Sequence, residues 1–72
     1  MTDDEKMTRD IASQLRKVRR AKDMTQVQVA QKAGIDENYY PKLERAESTP
    51  SLTTLRQITK ALDAHSSDIL PF

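Results

Sequence analysis

The sequence contains no cysteine and no tryptophan, and among its 72 residues there are one glycine, one histidine, three prolines and three aromatics. Without cysteine there is neither a disulfide framework nor a thiolate metal site, so burial of side chains alone must hold so small a chain together. A single histidine, His65, cannot form a cluster with zinc-ligand spacing, and no metal or other cofactor is expected. The same scarcity argues against an enzyme, because no nucleophile–base pair or phosphate-cradling loop can be assembled from these residues. Three aromatics also offer little stacking platform for single-stranded nucleic acid. No apolar run approaches the roughly 20 residues that span a bilayer. The start, Met1-Thr-Asp-Asp-Glu-Lys, is acidic where a signal peptide is basic and then apolar. A cytoplasmic protein of one domain, with no membrane partner, is expected.

What the chain does have is charge and helical periodicity. The net charge is only +1, but Asp3, Asp4, Glu5 and Asp10 crowd the beginning, whereas Arg16, Lys17, Arg19, Arg20 and Lys22 form a stretch with no acid. Residues 1–7 read as an acidic, flexible N-terminus and residues 8–72 as the domain. Ile11, Leu15 and Val18 lie at helical spacing in a first helix starting near Thr8 and ending near Lys22. Its basic run is either a solvated face or a source of field for an anionic partner.

Thr25 is placed to cap a second helix, with Gln28 completing a capping box and Met24 stapling onto Val29. Gly34 ends it, free to take positive φ. Asp36 is placed to cap the next helix, with Ile35 against Tyr40. Ser51 caps a fourth, in which Leu52, Leu55, Ile58 and Leu62 give one apolar stripe. Ser66 caps a last short turn. No strand-like alternation appears, so the fold is expected to be all-α, a compact bundle of four to five helices.

Two short helices joined by a glycine-containing turn of about three residues form the unit that lays one helix in the major groove of DNA and braces it with the other. Here the unit spans about residues 25–45. In the second helix of the unit, Asn38, Lys42 and Arg45 fall on one face with Pro41, while Tyr40 and Leu43 point the other way. Asn38 suits a bidentate pair with adenine, Lys42 suits guanine, Glu37 suits cytosine, and Arg45 at the helix end suits a phosphate. Thr25, Gln26, Ser48 and Thr49 are further candidates for phosphate, although a glutamine in the first turn can equally be a cap or merely exposed. Tyr39 is placed either for a phosphate or thymine-methyl contact or for packing on the fourth helix.

From Thr25 to Arg45, with the downstream Pro50-Ser-Leu-Thr-Thr-Leu and Lys60-Ala-Leu-Asp segments, the chain resembles the Cro/repressor-like helix-turn-helix family of the xenobiotic-response-element type. Ala30 and Gly34 match the small residue and turn glycine, and Leu43-Glu44-Arg45 matches the usual close of the motif. The resemblance implies a phage-repressor-like bundle and a sequence-specific regulator of transcription, bacterial or phage-encoded and nucleoid-associated. It further implies a homodimer on a pseudo-palindromic double-stranded operator, with RNA polymerase or a cognate regulatory protein as further partners. It implies that Gln26 contacts the DNA backbone and a neighbouring base, that Arg19 and Glu44 form an interior ion pair, and that Ile69, Leu70 and Phe72 form a dimer contact or a simple bundle cap. An antitoxin or adaptor that uses the same bundle to hold a protein is the competing expectation. Pro41 stands where the family has a hydrogen-bonding residue, and is expected to loosen or kink the first turn of a reading helix that starts after Asp36. A helix starting only at Pro41 would be too short a reader and would waste the Asp36 cap. Ala46 replaces the customary glycine, so either a left-handed end is forced on alanine or the helix runs on toward Glu47.

Overall fold

In a computed structural model, which describes residues 2–72, the first helix α1 runs Asp3–Ala21 and so begins before Thr8. The cause is a capping sequence: Thr2 Oγ1 accepts from the Glu5 N–H at 3.2 Å, and Asp3, Asp4 and Glu5 occupy the positive end of the helix dipole. The expected flexible segment is therefore helix from Asp3 onward, and Met7 packs against the core. Arg19 and Arg20 in the last turn complement the other end of the dipole, which accounts for much of the charge asymmetry without a partner.

Helix α2, Gln26–Ala33, carries the expected capping box between Thr25 and Gln28. Helix α3 is only Tyr40–Glu44, and α4 is Leu52–Ala61 with Ser51 as its cap. A single 3₁₀ turn, Ser66–Asp68, takes the place of a fifth helix; there the Asp68 carboxylate accepts the N–H of His65, one residue before the expected cap. No strand occurs among the described residues.

The shortness of α3 corrects the expected reading helix, and Pro41 is the physical reason. The N–H groups of Tyr39 and Tyr40 both reach Asp36 O, at 3.1 and 3.2 Å, but Pro41 has no N–H to offer Glu37. The next bond is a tight one, Lys42 N–H to Tyr39 O at 3.0 Å. Residues 37–39 are a turn, and the Asp36 carboxylate, accepting from Asn38 N–H at 2.7 Å, caps that turn and not a helix.

All four helices stop in the same way. Asp23, Gly34, Ala46 and Asp63 have φ of 56, 73, 60 and 51°. Each reverses the chain through a paired set of bonds such as Glu47 N–H to Lys42 O and Ala46 N–H to Leu43 O. Ala46 thus accepts the left-handed geometry, and α3 does not run on.

The core is built by Ile11 and Leu15 of α1, Val29, Ala30 and Ala33 of α2, Tyr40 and Leu43 of α3, and Leu55, Ile58, Ala61 and Leu62 from α4 and its end. Each large aliphatic buried there contributes about 1.5–3 kcal/mol. Two expectations change. Leu52 stands outside the stripe, 80% exposed at the first position of α4, and Ile69 is fully buried in the chain's own core. Ile69 therefore caps the bundle and is no dimer contact; Phe72, 82% exposed, and half-buried Leu70 remain at the surface.

Candidate nucleic-acid interface

Three fully buried side chains, Tyr40, Leu43 and Glu44, fix the rotation of α3 and so decide what its other side shows. Asn38, Lys42 and Arg45 are exposed, as expected of their shared face, Pro41 on that face is half-buried, and Glu37 is exposed as well. Their order is the same although residues 37–39 are turn and not helix. Glu37 accepts a hydrogen bond from Gln31 Nε2 of α2 at 2.8 Å, which ties the turn to the bracing helix. Arg45 pairs with Glu47, and this exposed pair holds the Glu47 carboxyl below the ordinary carboxylate range.

Behind this face lies a buried polar junction. Arg19 of α1 grips Glu44 with two bonds, Nε to Oε2 at 2.7 Å and Nη2 to Oε1 at 3.0 Å. Its remaining Nη1 donates to Met24 O at 3.0 Å. Gln26 of α2 donates from Nε2 to Glu44 Oε1 at 3.1 Å, and Arg16 Nη1 reaches Glu44 O at 2.9 Å. Burial alone would raise the Glu44 pKa, but the hydrogen bonds from Arg19 and Gln26 outweigh it and hold the carboxyl below its ordinary value. The Tyr40 hydroxyl lies beside this pair without a partner of good geometry among the described residues, and burial keeps the phenol protonated.

The basic run of α1 is largely turned to internal use: Arg16, Arg19 and Lys22 each donate to a backbone carbonyl, the last to Asp63 O at 3.2 Å. Lys17 and Arg20 are exposed. At the start of α2, Thr25 is exposed and spends its hydroxyl on Gln28 N–H, so the outward donors there are the first N–H groups of the helix itself. Gln26 is half-buried on Glu44, and Tyr39 is half-buried against the core. In the loop after α3, Thr49 is exposed with its hydroxyl 2.8 Å from that of Thr8, and Ser48 is half-buried. The Gln26–Glu44 bond joins residues eighteen apart in sequence, and only the packing of α2 on α3 brings them together.

An exposed polar strip along a short helix and the turn before it, braced by a preceding helix across a glycine turn, defines a helix-turn-helix. A helix-turn-helix family profile matches residues 15–69, most of the chain, and the chain belongs to that family. It is similar to the immunity repressor protein of Bacillus phage phi105, 33% identical over 60 residues that make up 83% of this chain and 42% of the repressor. The chain thus spans less than half the length of that relative. It is also similar to the restriction-modification controller protein C.AhdI from Aeromonas hydrophila, with a TM-score of 0.84 at 27% identity over 88% of this chain and 96% of the controller. The all-α bundle read from the sequence is the fold of that controller. No helix among the described residues is long and apolar enough to cross a membrane.

Proposed function

We propose that this protein is a sequence-specific regulator of transcription that binds double-stranded DNA as a homodimer. The observation that carries the reading is the division of the segment 37–45 into a buried side, Tyr40, Leu43 and Glu44, and an exposed polar side, Glu37, Asn38, Lys42 and Arg45. Such a strip suits the major groove, where Lys42 donates to guanine, Asn38 pairs with adenine and Glu37 accepts from cytosine. Thr25, the first N–H groups of α2, Arg45 with Ser48 and Thr49, and Tyr39 flank the strip and serve the phosphates on either side. Two copies would place their strips in successive grooves about 34 Å apart.

The surface for pairing is the groove of about 350 Å³ between α4 and the C-terminal turn, with Leu52, Leu55 and Leu70 on its walls. Phe72 adds an exposed ring nearby in sequence. Such a regulator occludes RNA polymerase or recruits it, alone or with a cognate regulatory protein.

The test is selection of bound duplexes from a random library with the wild type and Lys42→Ala, followed by affinities across a range of salt. Base reading by Lys42 predicts a loss of about 1–3 kcal/mol and a relaxed preference at one position per half-site. Contacts with several phosphates predict a steep fall of affinity with salt. No duplex binding at low salt would move the function to a protein-binding adaptor.

A further inference from the structure

The exposed charges between Asp36 and Glu47 sum to the wrong sign for a partner made of phosphates: Asp36, Glu37 and Glu47 stand against Lys42 and Arg45. Two of these carboxylates have structural work inside the chain. Asp36 accepts the N–H of Asn38, and Glu37 accepts from Gln31 of the bracing helix. Glu47 has no such task. Among the described residues, its carboxylate accepts from Arg45 Nε, the cation proposed to reach a phosphate. Arg45 is also the one cation between Lys42 and Arg56 in the sequence. Whatever holds its guanidinium therefore controls the positive charge that the loop after α3 offers to DNA. The two side chains are 56% and 51% exposed, so the pair is open to exchange with a competing anion.

We propose that Glu47 is a positioning residue for Arg45 and, through it, a determinant of specificity: the ion pair withholds the guanidinium from loosely bound phosphates and yields it to a phosphate docked against the loop. This rests on the DNA-binding reading above. Charges two residues apart in one loop meet at the high effective concentration that a short tether gives. A phosphate of a loosely bound duplex is met across water and salt, where its attraction is screened, and the carboxylate keeps the cation. A duplex seated in register brings a phosphate oxygen within hydrogen-bond distance, where the planar guanidinium can donate two parallel N–H groups. The exchange is then favourable, and Glu47 turns to solvent.

Sequence-independent binding is almost entirely electrostatic. An unpaired Arg45 would strengthen loose and docked complexes alike and add nothing to the difference between them. A cation neutralised in the loose complex and released in the docked one adds to that difference. Arg45 thus contributes to discrimination without touching a base, and the carboxylate beside it is the reason.

The wild type, Glu47→Gln, Arg45→Gln and the double variant are titrated over a range of salt with a duplex selected by the wild type and with a random-sequence duplex. Both positions are exposed, and matching thermal melts establish that the variants keep the fold. Glu47→Gln should raise affinity for the random duplex roughly three- to tenfold at low salt and steepen its salt slope by about one, as one more phosphate is engaged. Affinity for the selected duplex should rise less, with its slope unchanged, so the ratio of the two affinities should fall by roughly threefold. Arg45→Gln should weaken the selected duplex and leave the random one near the wild-type value. Adding Glu47→Gln to it should have far less effect than in the wild type.

A gain in Glu47→Gln that is equal for the two duplexes, or as large in the Arg45→Gln background, would make Glu47 a plain source of repulsion and overturn the proposal. A loss of affinity in Glu47→Gln would overturn it too, since the carboxylate would then aim Arg45 at DNA and not withhold it. A wild type that binds no duplex at low salt fails the DNA-binding reading and the proposal with it. A wild type that selects duplexes but discriminates no better than Glu47→Gln fails the proposal alone.

Discussion

Ala46 closes α3 with φ of +60°, a conformation that L-residues adopt at a cost of roughly 1–2 kcal/mol. Glycine escapes that cost but surrenders roughly 0.5–1 kcal/mol of additional chain entropy on folding. Ala46→Gly should therefore stabilise the protein by about 0.5–1 kcal/mol, which in a domain of this size raises Tm by about 2–8 °C. Gly34→Ala is the converse experiment. Gly34 has φ of +73°, and a Cβ built there meets no atom within 4 Å, so the substitution is felt through the backbone alone and should lower stability by a similar amount. Urea and thermal melts of both variants measure the pair, and the double variant should return close to the wild type. If Ala46→Gly were neutral or destabilising while Gly34→Ala behaved as expected, the reasoning from φ would be refuted at Ala46. Its half-buried methyl group would then be worth more than the strain it sits on.

Glu44→Ala leaves the Arg19 guanidinium without its partner at a site where the two side chains are 13% and 2% exposed, so urea unfolding should show a loss of about 3–5 kcal/mol. The same carboxyl sets an acid limit. Because it binds its proton less readily in the folded state than in the unfolded one, its contribution is complete above the ordinary value of 4.5. That contribution is lost as pH falls through the lower folded value; melts of Glu44→Gln between neutral and acid pH should lack this part of the decline. Tyr40→Phe removes a buried hydroxyl that has no hydrogen-bond partner among the described residues and should be neutral or stabilising by up to about 1 kcal/mol, whereas a clear loss in calorimetry would reveal a bond to Glu44 in solution. Leu52→Asp combined with Phe72→Ala changes two exposed residues and should weaken self-association in sedimentation without lowering the melting temperature of the monomer.

Much of the fold is written locally. The capping box at Thr25, the turn at Gly34 and the cap at Ser51 are short-range chemistry, and each needs only neighbouring residues to be recognised. The start of α1 was equally local, since Thr2-Asp3-Asp4-Glu5 is itself a capping sequence, but acidic composition masks it when charge is read as a sign of flexibility. Leu52 satisfies the apolar periodicity of α4 yet stands 80% exposed at its first position, so periodicity alone misplaces it. Pro41 was visible as a disturbance, but its outcome depended on whether the buried side chains of Tyr40 and Leu43 could hold one helical turn in place, and they do. The orientation of Gln26 was not legible at all, because it follows from where Glu44 is buried and not from any spacing along the chain.

The single turn of α3 has a consequence for how such a protein changes over time. In the segment 37–45 that contains it, the fold-bearing positions, 40, 43 and 44, and the exposed positions, 37, 38, 42 and 45, do not overlap. So short an element draws little stability from helix propensity, and substitutions on its outer side leave the core as it was. A population of variants can therefore drift through many outer-face sequences without crossing a threshold of unfolding. Position 26 is the exception, since its amide is fastened to the interior, and lineages that diverge freely at 38 and 42 should stay constrained there for as long as position 44 is glutamate.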